Sequence, residues 1–182
     1  MPIPLGIVAV AGAGGGAAGD YVRLETTILG TAAASVTFSN LATYSAYKHL
    51  EIRMVTGHTN SGGSSVIMRF NSDTGNNYAR HGLAGGSSTV TASAATSTSG
   101  IIVGIHTDST TSNFGASVVS VLDFGSTSKT KTARALIGVT TEGIRLVSGF
   151  RNNTEAITSI TLLDIQGFNF RAGSRFSLYG LR

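Results

Sequence analysis

Hydrophobic and polar residues alternate with a period of two along most of this chain. Leu50, Ile52 and Met54 alternate with Glu51 and Arg53, and Val66, Met68 and Phe70 alternate with Ile67 and Arg69. Val22, Leu24, Thr26 and Ile28 share one face of a predicted strand, opposite Arg23 and Glu25. The pattern recurs over residues 101–105, 116–124, 133–140, 144–150, 157–163 and 176–181. No window of twelve or more residues places apolar side chains at i, i+3, i+4 and i+7 between caps, as an amphipathic helix requires. Short β-branched runs parted by Gly, Asn and Ser clusters every ~8–15 residues predict an all-β sandwich or barrel.

The separators have turn chemistry. Asn60-Ser61-Gly62-Gly63 and Asp73-Thr74-Gly75-Asn76-Asn77 supply residues that tolerate positive φ, and Thr141-Glu142-Gly143 reads as a hairpin tip. The Gly, Ser, Thr and Ala of residues 85–100 predict a long exposed loop, with no more than a poor strand at residues 89–92. No repeat and no linker divides the chain, so residues 1–20 are expected as an N-terminal arm and residues 21–182 as one sandwich domain.

The arm reads MPIPLGIVAVAGAGGGAAGD. It lacks the Lys or Arg that opens a secretory signal, and no stretch of the chain reaches the ~18 apolar residues of a membrane-spanning helix. Pro2, Ile3, Pro4 and Leu5 read as extended and Ile7, Val8 and Val10 as a short strand, an assembly anchor for burial against another subunit. The alternative is an edge strand within its own domain.

Composition points the same way. Only 12% of the 182 residues are charged, against about 25% in ordinary soluble domains. A surface made of Ser, Thr, Asn and Gly instead suits a protein packed against copies or neighbours. With no Cys, disulfides and thiolate chemistry are excluded.

Motifs for catalysis or cofactors do not hold up. Gly14-x-Gly16-x-x-Gly19 has the spacing of a dinucleotide fingerprint, but the alternating residues 21–29 follow it where a helix N-terminus must hold the pyrophosphate. Asp73-Thr74-Gly75 matches an aspartic-protease triplet, but it occurs once and that chemistry needs two carboxylates. His49, His58, His81 and His106 show no metal-ligand spacing. Asp73, Asn76 and Asn77 offer oxygen ligands without the spacing of a calcium loop. No enzyme activity, cofactor or metal is expected.

The net charge of +4 comes with ten Arg against three Lys. Arg171, Arg175 and Arg182 lie near Phe168, Phe170, Phe176 and Tyr179, a grouping better suited to carboxylate pairing or a subunit interface than to nucleic acid. Neither a nucleic acid nor a membrane is expected as partner. Were the chain a carbohydrate-binding module, Tyr44, Tyr47 and Tyr78 would be its stacking platforms.

The arm MPIPLGIVAVAGAGGGAAG, then YVRLETTILGTAAASVTFSNL, ATYSAYKHLEIRMV and IMRFNSDTGNNYARHGL, resemble small structural proteins of tailed bacteriophage virions. The terminal AGSRFSLYGLR is similar to the ends of phage tail-fibre and adhesion-like proteins. The resemblance implies a non-enzymatic virion component, a jelly-roll-like sandwich and a homotrimer in contact with other virion proteins. Its preferred role is tail fibre or host attachment, with surface polysaccharide as a possible target; capsid decoration is the alternative, and an adaptor joining fibre to baseplate is also open.

Overall fold

A computed structural model describes residues 20–86, 88–106, 113–139 and 143–182. They build two antiparallel sheets from twelve strands, β1(Tyr21–Ile28), β2(Ser35–Phe38), β3(His49–Thr56), β4(Ser64–Phe70), β5(Tyr78–Gly86), β6(Thr89–Thr98), β7(Ile101–His106), β8(Gly115–Leu122), β9(Lys131–Val139), β10(Gly143–Arg151), β11(Ile160–Asp164) and β12(Arg175–Leu181). The larger sheet runs β1-β12-β3-β8-β9-β10-β5-β6 and the smaller β2-β11-β4-β7. The expected arm, residues 1–19, lies outside the described residues.

Period-two alternation does its work between the sheets. Leu50, Ile52, Met54, Val119, Val121, Ile137, Phe176 and Leu178 project inward from the large sheet. They meet Phe38, Val66, Met68, Phe70, Val103, Ile160 and Leu162 from the small one. The two layers approach closely at Gly104, where an added Cβ would lie 2.8 Å from the Met54 methyl and 2.9 Å from Val66. Only glycine leaves that gap open.

Two expectations are corrected. Residues 85–100 are mostly strand: β6 spans ten residues and pairs with β5 from Gly86↔Thr89 to Tyr78↔Thr98. Nearly every β6 side chain is exposed, so no alternation marked it, and its ladder with β5 supplies what side-chain burial does not. On β1 the register slips between Arg23 and Glu25. This bulge inverts the faces beyond it, leaving Ile28 63% exposed instead of sharing a face with Val22 and Leu24. The 157–163 run also starts its strand later, at Ile160, while Ile157 is buried as a loop residue.

Of the predicted turns, Gly62 takes a positive φ, whereas after β4 the positive φ falls on Asn71 and Ser72, ahead of the 73–77 cluster; Thr141 and Glu142 lie outside the described residues. Asp73 accepts from the Gly75 N–H at 2.9 Å and the Asn77 amide at 3.1 Å, and it receives the Arg151 Nε at 2.7 Å. Burial would raise the Asp73 carboxyl, but these hydrogen bonds outweigh it and hold the group below its ordinary value. Both carboxylate oxygens are committed to donors, which suits a turn anchor and not a cation ligand.

Candidate functional site

Residues directly opposite in an antiparallel pair project to the same side of the sheet. On the outer face of the large sheet, Val118, Leu136, Leu146, Leu83 and Ala92 are successive cross-strand partners on β8, β9, β10, β5 and β6. Two residues along each strand, Val55, Ala116, Gly138, Ile144, Gly85 and Val90 form a second row running from β3 to β6. Leu136 is 53% exposed, and Leu83, Leu146, Ile144 and Val90 are exposed to a similar or greater degree. Between the two rows, from β12 to β10, lies a depression of about 550 Å³; on the other side of the first row, toward Ser120, Arg134, Ser148 and His81, lies one of about 690 Å³, and the two share Val118 and Leu136. Scattered exposed aliphatics are ordinary, whereas contiguous rows of them mark an interaction surface.

The rim is cationic. Arg53 and Arg175 line one depression and Arg134 the other. Arg53, the cross-strand partner of Val118, lies over the Tyr21 and Tyr179 rings at 5.2 and 5.0 Å. Those rings stack at 5.0 Å, and Tyr21 donates its hydroxyl to Glu51 at 2.5 Å. Desolvation, aided by the Glu51 carboxylate, pushes Tyr21 up to about 12, so the phenol stays protonated. The described chain therefore begins with its first aromatic clamped to this same outer face.

A second cluster is sealed. His106 Nε2 faces Asp164 Oδ2 at 3.3 Å with both side chains fully buried, and the His58 ring meets His106 edge-on at 5.3 Å. Phe168 and Phe170 pack against the two imidazoles. Burial pulls His106 from 6.5 down to about 4, opposed by the Asp164 carboxylate and aided by His58. Asp164 Oδ1 meanwhile accepts the backbone N–H groups of Gln166 and Phe168, tying down the turn after β11. A neutral imidazole buried against a turn-capping carboxylate is a structural arrangement.

The sequence candidates scatter. Pro2, Ile3, Pro4, Leu5, Ile7, Val8 and Val10 lie outside the described residues. Tyr78 is 1% exposed, with its hydroxyl accepting the Phe70 N–H at 2.9 Å, so it presents no face to a glycan. Tyr44 and Tyr47 are half-buried against the core, and Tyr47 borders a depression of about 500 Å³ that also touches Lys48, Asp123 and Lys129. Of the histidines, only His58 and His106 come together. Arg171 lies 4.0 Å over the Phe114 ring and donates to the Asn113 carbonyl, while Arg175 joins the outer rows beside Val55.

The outer apolar rows were not among the sequence candidates, although the chain carries their signal. Val118-Val119, Leu136-Ile137 and Leu146-Val147 are consecutive apolar pairs in otherwise alternating strands. Such pairs are what a strand covered on both faces requires. This chain matches no protein-family model, no curated protein and no solved structure.

Proposed function

We propose that this protein is a non-enzymatic structural component of a bacteriophage virion, of tail-fibre or host-attachment type, which assembles as a homotrimer and is anchored by its N-terminal arm. The observation that carries this reading is the contiguous apolar outer face of the large sheet, from Val118 through Leu136 and Leu146 to Leu83. Covering the exposed half of one such leucine contributes about 1 kcal/mol, an incentive for the face to meet another polypeptide surface. The low charge of the chain supports the same conclusion.

The strand order supports a jelly-roll reading. With the β5–β6 and β9–β10 pairs set aside, β1-β12-β3-β8 face β2-β11-β4-β7. Eight strands divided this way, with most sequence neighbours in opposite sheets, fit the double-sheet architecture used by viral capsid and lectin domains. The four remaining strands then extend one sheet, and they carry most of the apolar rows.

The test is the native mass of the full chain together with its location on particles. Three copies per assembly and antibody labelling on the tail are expected, and removal of residues 1–19 should leave the sandwich folded but unable to join particles. A stable monomer that incorporates without its arm would end this reading. Labelling on the head would replace tail attachment with capsid decoration.

A further inference from the structure

We infer that the seat of the N-terminal segment, residues 3–10, is the trough on the outer face of the large sheet that runs from β12 to β10, where Val118 and Leu136 face Val55 and Ile144. Three observations lead there. The first is chemical. Val55, Ala116, Val118, Leu136 and Ile144 line the trough, with Arg53, Arg175 and Tyr179 toward its β12 end and no carboxylate in its lining. Residues 3–10, IPLGIVAV, carry no charge and no polar side chain, so only their backbone amides need hydrogen-bond partners there.

The second is dimensional. From Tyr179 on β12 to Ile144 on β10 the trough crosses four strand spacings, about 19 Å. An extended stretch of six residues covers about 20 Å, so the segment is long enough to cross it. Ala116 and Gly138 leave room in its lining; at Gly138 an added Cβ would meet nothing within 4 Å.

The third is where the segment joins the fold. Tyr21 is clamped by Tyr179, Arg53 and Glu51 on this outer face, and Arg53 is directly paired with Val118 of the first row. Residues 11–19, all Gly and Ala, span at most about 30 Å between that clamp and the segment. This reaches the trough of the same molecule or of an adjacent one. The reading under Proposed function, on which this inference rests for its intermolecular form, has a neighbouring copy receive it.

The absence of cysteine makes the test clean, because any disulfide must come from introduced residues. The full chain carrying Ile7→Cys together with Leu136→Cys is oxidised and its mass compared with each single variant. Covalent multimers formed only by the double variant are expected. A cross-link confined to single chains of the double variant also supports the seat, but it turns the arm inward and overturns the intermolecular anchoring proposed above. Multimers from Leu136→Cys alone mean that two copies meet face to face, and they overturn the seat. So does failure of the double variant to cross-link while the native mass stays oligomeric, which leaves the virion reading standing.

A second measurement avoids cysteine altogether. Leu136→Glu, at a half-exposed position, should keep the melting transition of the sandwich while proteolysis within residues 1–19 accelerates about tenfold or more. Unchanged cleavage of the arm would overturn the seat.

Discussion

The two outer faces of this sandwich are built by the same alternation but differ in the apolar surface they leave open: on the small sheet the Leu163–Ile67–Ile102 row is buried or half-buried. On the small sheet, Thr37, Thr161 and Arg69 stand opposite one another, with the two threonine hydroxyls 3.1 Å apart and Arg69 Nε donating to the Ser99 carbonyl at 2.8 Å. On the large sheet, the corresponding position holds an aliphatic row crossing four strands. A Ser/Thr face satisfies its polar groups locally or with water and needs no further cover. An aliphatic face gains free energy only when something excludes water from it. The difference separates a finished surface from one awaiting a partner.

The sharpest way to break this contrast uses neighbours in sequence on β9. Ile137 is fully buried and Leu136 points the other way. Ile137→Ala is expected to cost about 2–5 kcal/mol in urea unfolding of the monomeric form, and Leu136→Ala less than about 1 kcal/mol. Equal costs would mean that the outer face is already covered within the molecule.

Acid should reach the small-sheet side first. His106, at the end of β7, binds its proton near 6.5 when unfolded but only near 4 when folded. Between those values the unfolded chain holds more protons, so stability is lost as pH drops through that window, by up to about 3 kcal/mol from this group. Above 6.5 the contribution is complete. Unfolding midpoints measured from pH 7 to 4 should show this slope, and His106→Gln should flatten it. A flat wild-type profile would refute the buried neutral imidazole.

A smaller effect is expected at Tyr78. Removing its hydroxyl in Tyr78→Phe strips the Phe70 N–H of a buried acceptor and should cost about 1–3 kcal/mol by calorimetry. Smallest is Thr161→Val on the finished face, within about 0.5 kcal/mol, since an exposed hydroxyl pair contributes little net. A loss above 2 kcal/mol there would show that the polar face depends on more than solvent.

Strands such as β3 and β8 were legible because alternation is a local property: each residue's face follows from its neighbour's. The bulge on β1 defeated that logic with one extra residue, and it displaced Ile28. β6 was illegible because both its faces are open, so nothing in TVTASAATST had to alternate. The His58–His106–Asp164 cluster joins residues far apart in the chain, so spacing carried no trace of it.

The chain alone determined that this is an all-β protein, sparse in charge and with no charged residue among its first nineteen, because period, turn chemistry and composition act within a few residues. Tertiary structure decided which strands lie side by side, and therefore that Val118, Leu136, Leu146 and Leu83 line up into one continuous face. Pairing across 63 residues, as between Leu83 on β5 and Leu146 on β10, is chosen by the free energy of the whole sandwich, and no local window contains that choice.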